Sequence, residues 1–119
     1  MRKIILPILV VAVTVLADAC GKAQPRPEDG QNLAVIKGCS ACHAIDSTPK
    51  IGPSWVGLYG SRVELADGTF VAADVVYLIE AIKEPNAKIV RGYTKGAMPK
   101  IALSDEEISS LVAYIKSVE

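Results

Sequence analysis

The sequence predicts a small all-α domain of three or more short helices, with one short β-hairpin near residues 63–71. Three observations predict it. Ser104 and Glu107 form a capping box ahead of an apolar stripe at Ile108, Leu111, Val112 and Ile115, spaced i, i+3, i+4 and i+7. A second stripe runs from about Asp74 to Glu84, through Val75, Val76, Leu78, Ile79 and Ile82, and Pro85 ends it. The strand-like signal is confined to Val63, Leu65, Phe70 and Val71 around Asp67-Gly68, a pair suited to a hairpin turn because glycine accepts positive φ.

Taken from the N-terminus, Arg2 and Lys3 precede an apolar stretch, Ile4 to Leu16, broken only by Pro7 and closed by Ala17-Asp18-Ala19. A basic start, an apolar middle and a small-residue site read as a secretory signal peptide over residues 1–19. The stretch is shorter than the roughly 20 residues a spanning helix needs, which weighs against an uncleaved anchor. Cys20 follows at once, with Gly21 behind it. Leu16, Ala19 and Cys20 resemble the lipobox of bacterial lipoproteins, whose cysteine is acylated. Asp18 does not suit that box, and Ala17-Asp18-Ala19 would also satisfy ordinary signal peptidase. An odd thiol in an oxidising compartment is a liability that lipidation removes, and this favours Cys20 as a lipid anchor.

Residues 20–28, with Pro25 and Pro27 among polar residues, read as a semi-extended tether, and 29–119 as the folded domain. Leu33 and Ile36, three apart, suit one face of a short first helix that stops at Gly38. Of 13 basic and 13 acidic residues, cleavage after Ala19 removes Arg2, Lys3 and Asp18 and leaves 11 and 12. That balance lacks the basic stripe of a nucleic-acid binder. Some 90 residues make a thin core, and a chain of that size commonly needs a staple or a metal.

Cys39-Ser40-Ala41-Cys42-His43 is a C-x-x-C-H motif. Two thiols at this spacing can add to the two vinyl groups of one porphyrin, and the imidazole that follows can reach the iron, so the motif implies one covalently attached haem c. A thioredoxin-like pair would belong beside a βαβ unit, which the pattern lacks. A structural zinc site usually needs four ligands, and only Cys20 remains as a further cysteine, with no second histidine. A plain disulfide leaves His43 unexplained. Met98 is the only methionine beyond the signal peptide and lies in Gly96-Ala97-Met98-Pro99, between two helices. His43 and Met98 are therefore the expected axial ligands, an electron-transfer pairing in which the thioether raises the reduction potential. A core-filling role is the commoner use of methionine. If Met98 does not ligate, the iron is open to small gases or peroxide.

The chain from about Gly30 to the end resembles the class I c-type cytochromes, which carry a single haem. Gly52-Pro53-Ser54-Trp55-Val56-Gly57-Leu58-Tyr59-Gly60 matches the G-P-x-x-x-G-L-x-G stretch of that family. The resemblance implies a class I cytochrome c fold around the haem. It implies that the carbonyl of Pro53 orients His43, that Trp55 packs on the haem, and, one position out of register, that Arg62 lies near a propionate.

A closer similarity is to the cytochrome domain at the C-terminus of subunit II in haem-c-containing cytochrome c oxidases. It rests on Leu65-Ala66-Asp67-Gly68-Thr69, Pro85-Asn86-Ala87-Lys88-Ile89-Val90, Gly92-Tyr93, Met98-Pro99 and Leu111-Val112-Ala113-Tyr114-Ile115-Lys116. The copper-binding domain and transmembrane hairpin of that subunit are missing from this sequence. Ala34 stands where relatives often carry an aromatic in the first helix.

These readings imply a one-electron carrier of a bacterial respiratory chain, not an enzyme, exported and tethered on the periplasmic or outer side of the membrane. Expected partners are redox proteins, a membrane quinol-oxidising complex and cytochrome c oxidase, met by a monomer or complex subunit. Lys37, Lys50, Lys95 and Lys100 lie near the ligand motifs and could steer an acidic partner, or be scattered solvated lysines. A fixed haem subunit of a quinol-oxidising or terminal oxidase complex is the alternative, and a haem peroxidase or gas sensor a further one.

Overall fold

A computed structural model describes Gly21 and residues 23–119, so the expected signal peptide and the expected lipid anchor Cys20 lie outside the described residues. The elements in order are α1 (Pro27–Ile36), α2 (Cys39–Cys42), β1 (Arg62–Glu64), β2 (Phe70–Ala72), α3 (Val75–Lys83) and α4 (Asp105–Ser117). The two strands are antiparallel, with Val63 opposite Val71. Helices α1 and α4 pack on each other, and α3 packs on α4.

Helix α1 takes in Pro27 and Glu28, which the sequence reading assigned to the tether. A proline at the first helical position needs no amide partner and already has a helical φ, so it opens the helix. The Arg26 guanidinium grips both carboxylate oxygens of Asp29 at 2.9 and 3.0 Å.

The buried face of α1 differs from the expected one. Gly30 and Ala34 are buried and Leu33 is half-buried, while Ile36 is 77% exposed. The cause is the closeness of the crossing with α4. A Cβ on Gly30 would stand 2.0 Å from the carbonyl oxygen of Ser110 and 2.7 Å from Cβ of Tyr114. Backbones this close leave room only for small side chains, so the i, i+4 pair Gly30/Ala34 faces α4.

Helix α3 starts where Asp74 accepts a hydrogen bond from the Tyr77 amide, at 2.8 Å, and it ends before Pro85. Its buried residues are Tyr77 and Leu78, whereas Val76 is 73% exposed and Val75 is also exposed. Leu78, Ile79 and Ile82 of the expected stripe do pack on the core, while Tyr77 takes the buried place expected of Val75 and Val76.

Helix α4 follows expectation most closely. The Glu107 amide donates to Ser104 Oγ (3.1 Å) and the Ser104 amide to Glu107 Oε2 (2.8 Å), and Ile108, Leu111, Val112, Tyr114 and Ile115 are buried. The Glu107 carboxyl is held below the usual carboxylate range, first by the Ser104 amide and then by Lys37 at 3.0 Å. Folding thus favours the ionised form. Its contribution is present above the carboxylate's ordinary range and lost as pH falls through the lowered folded value. Glu107→Gln keeps an acceptor for Ser104 but removes the titrating group. Urea denaturation at stepped pH should then show a shallower loss of stability on acidification than in the native protein. Equal slopes would count against the assignment.

In the hairpin, Gly68 has φ +86° and its amide donates to the Leu65 carbonyl at 3.0 Å, while the Leu65 amide donates to Thr69 at 2.8 Å. Asp67 accepts from both the amide (2.9 Å) and the hydroxyl (2.7 Å) of Thr69. Leu65 also bridges to Val90, which ties the hairpin to the irregular segment that carries Met98.

Candidate haem-binding site

Gly38, at φ +80°, turns the chain out of α1 and into α2, the single helical turn that presents Cys39 and Cys42. Both thiols are free and half-buried. Burial pushes the Cys39 thiol above its usual value, an effect larger than any other on it. Among the described residues no group of three or more His, Cys, Asp and Glu side chains is placed to hold a separate metal ion.

The chain after α2 folds back so that residues 52–56 run along residues 42–46. The Gly52 amide donates to the Cys42 carbonyl and the Trp55 amide to the Ala44 carbonyl, both at 2.8 Å. The Ser54 hydroxyl donates to the Asp46 carbonyl at 3.0 Å and accepts from the Val56 amide at 3.1 Å.

This return strand holds His43 in three ways. The Pro53 carbonyl oxygen lies 2.7 Å from Nδ1, which fixes the proton on that nitrogen. The Trp55 indole stacks on the imidazole, with centroids 5.1 Å apart and planes 16° from parallel. Gly52 closes in as well: a Cβ there would stand 2.6 Å from Cε1 and 2.9 Å from Nδ1. Trp55 is held in turn by Tyr114, whose ring meets it edge-on at 5.9 Å, so a side chain of α4 braces the histidine through the tryptophan. Burial pushes the imidazole below its ordinary value; the Pro53 bond opposes this and Lys50 adds to it. The ring is accordingly neutral at neutral pH, the state a metal-binding nitrogen requires.

His43 opens onto a predominantly apolar cleft of about 270 Å³. Its lining includes Cys39, Cys42 and Trp55, then Tyr77, Leu78 and Ile82 of α3, and Met98 and Leu103. Ile51 also lines it while 66% exposed, so it stands at the mouth. Six of the residues expected around the cofactor line this one cleft: Cys39, Cys42, His43, Pro53, Trp55 and Met98. Arg62 does not line the cleft; its guanidinium lies 4.0 Å over the Phe70 ring on the hairpin. Tyr77 was absent from the expected site, although its place one turn before Ala81 and beside Leu78 puts it on the cleft face of α3.

The residues fit a covalent haem. The paired thiols sit beside a neutral, immobilised imidazole, and a thioether lines the same apolar cleft. The cytochrome c family model matches residues 27–119. Among solved structures, the fold is similar to cytochrome cH from Methylobacterium extorquens, at a TM-score of 0.58 and 21% identity, covering 77% of this chain and 98% of that one. No curated protein matches the chain. The fold is that of a class I cytochrome c, helical with one small antiparallel sheet, and the cofactor is one haem c bound covalently at Cys39 and Cys42 beside His43. With the match spanning most of its length, from the first helix to the last residue, the chain belongs to the cytochrome c family.

Proposed function

We propose that the protein is a one-electron carrier of a bacterial respiratory chain, with His43 and Met98 as axial ligands of its single haem c. The observation that carries this reading is that Met98, the only methionine beyond the signal peptide, lines the same cleft as Cys39, Cys42 and His43. Haem iron held between an imidazole and a thioether supplies a one-electron couple of raised potential. Because Nδ1 is engaged by Pro53, Nε2 is the nitrogen of His43 left for the iron. Pro53, Trp55 and Gly52 prevent that ring from turning, which limits rearrangement on electron transfer. With His43 and Met98 both holding the iron, the chain would leave no position for substrate, which supports electron transfer over an enzyme's bond chemistry.

Met98→Ala tests the ligand. In the exported holoprotein the weak far-red band of a ferric iron–thioether bond should vanish and carbon monoxide should bind the reduced form. The potential should fall by on the order of tenths of a volt, within the roughly 0.8 V that axial ligands command. A native protein without that band, or one that binds carbon monoxide as readily as the variant, would shift the reading to a gas sensor or peroxidase.

Partners would dock at the mouth of the cleft, beside the exposed Ile51, through the small interface usual for redox encounters. Of the four lysines near the ligand motifs, Lys37 is engaged with Glu107 and Lys100 with Glu84. Lys50, beside Ile51 and bonded to the Ser40 carbonyl, and the exposed Lys95 are left for steering an acidic partner. Charge reversal at Lys50 and Lys95 should slow transfer to a membrane oxidase, more at low salt than at high salt. Rates that do not respond would remove lysine steering.

Export by the signal peptide and acylation of Cys20 would hold the domain at the outer face of the cytoplasmic membrane. No helix among the described residues is long and apolar enough to cross a membrane. The similarity of residues 65–69 and 85–90 to oxidase subunit II favours, as a second reading, a fixed haem subunit of a membrane complex. Copurification with such a complex in equal amounts would distinguish it from a diffusing carrier.

A further inference from the structure

Met98 lies in a stretch without regular secondary structure between Val90 and α4. Its neighbours Ala97 and Pro99 are exposed and Met98 itself is half-buried. Local hydrogen bonding in this stretch is sparse: the Ala97 amide reaches the Thr94 carbonyl at 3.2 Å, and Pro99 has no amide hydrogen to give. Gly96 has φ +83°, a conformation that glycine adopts without strain but does not itself fix. Something outside the segment must hold the thioether in place.

Two side chains just beyond α3 do so. Asn86 Oδ1 accepts a hydrogen bond from the Gly96 amide at 2.7 Å, two residues before Met98. The Glu84 carboxylate pairs with Lys100 Nζ, two residues after it. Both ties spring from Glu84-Pro85-Asn86, which is itself well placed. The Glu84 amide closes the last turn of α3 onto Glu80 at 2.7 Å, and the Ala87 amide donates to the Glu84 carbonyl at 2.9 Å. Pro85 stiffens the link between them.

The two ties differ in strength. Glu84 and Lys100 are 60% and 65% exposed, so solvent and salt screen their attraction. The Asn86–Gly96 bond is also exposed, but it is short and neutral, so salt does not screen it, and it satisfies a backbone donor that has no other partner in its turn.

We propose that Asn86 is a positioning residue that keeps Met98 on the haem iron, with the Glu84–Lys100 pair as a weaker second tie. The inference rests on the Met98 ligand reading. Removing the Asn86 acceptor leaves the thioether in the chain but frees its segment to swing away, which opens one axial position to outside ligands.

The test titrates imidazole into the ferric holoprotein and follows the haem absorbance in native, Asn86→Ala, Asn86→Asp and Met98→Ala forms. Asn86→Ala should keep its covalent haem and bind imidazole about fivefold more tightly, the equivalent of one net hydrogen bond. Asn86→Asp, which retains an acceptor for the Gly96 amide, should return close to native affinity. A residue that merely supports folding would lower the melting temperature of Asn86→Ala without this gain in affinity and without rescue by aspartate. Native protein with the far-red band but an unchanged Asn86→Ala affinity would overturn the positioning role alone. Native protein without the band would overturn the Met98 ligand reading and this inference with it.

Discussion

Replacing Cys39 and Cys42 together by alanine is expected to abolish all haem absorbance that survives denaturation and to leave the domain largely unfolded. The two thiols are the only covalent handles in the described chain, and they sit on one turn of helix that has no buried residue of its own. The core they serve is thin: its largest fully buried side chain is Leu111, and Tyr77, Leu78 and Ile82 face the cleft as well as the core. Without the cofactor plate those residues face water, at a cost of about 25 cal/mol for each Å² of apolar surface. Over the lining of the cleft this is comparable to the lower end of the stability of a small domain, about 5–15 kcal/mol. Haem staining after denaturing electrophoresis and far-ultraviolet circular dichroism would check both parts. A double variant that stays helical without haem would show that the protein core suffices.

Gly30→Ala should be the most damaging single substitution outside the haem site. In an open helix the change would stabilise by up to about 1 kcal/mol through helix propensity. Here the new methyl would meet the Ser110 carbonyl oxygen at 2.0 Å, and backbone cannot rotate aside as a side chain can. The crossing of α1 and α4 must open, and Tyr114 moves with it. We expect a net loss of about 2–4 kcal/mol, the upper range of overpacking effects. Tyr114 braces Trp55 and Trp55 braces His43, so the damage should also reach the haem spectrum. Asn32→Ala, at an exposed position of the same helix, is the control and should stabilise slightly. Chemical denaturation of both variants decides the matter: a Gly30→Ala protein as stable as Asn32→Ala would show that the crossing tolerates a methyl group.

The first helix also shows why the sequence could be misread. Leu33 and Ile36 are the larger apolar residues there, and a hydrophobic period alone selects them. The helix instead buries Gly30 and Ala34, because the approach of α4 excludes anything larger. A small-residue pair at i, i+4 was visible in the sequence and is the signal that could have found this face. In α3 the apolar residues nearly encircle the helix, so Val75 and Val76 were indistinguishable from Leu78 until the position of the cleft chose the face. Arg62 illustrates the same limit: its place in the chain suggested the cofactor, while the hairpin twist carries it onto Phe70.

By itself the sequence determined what short-range chemistry can determine. Ser104 and Glu107 cap α4 across three residues, Asp67-Gly68 turns the hairpin, Pro85 stops α3, and Cys39, Cys42 and His43 specify the cofactor within five positions. Each is an interaction among neighbours in the chain, readable without knowing what packs where. The tertiary structure decided which helix faces are buried, the gripping of His43 between Gly52 and Trp55, the brace from Tyr114, and the tie from Asn86 to the Met98 segment. These depend on groups 9 to 84 positions apart meeting at ångström distances. Only close packing sets such distances, and a pattern of residue types along the chain does not contain them.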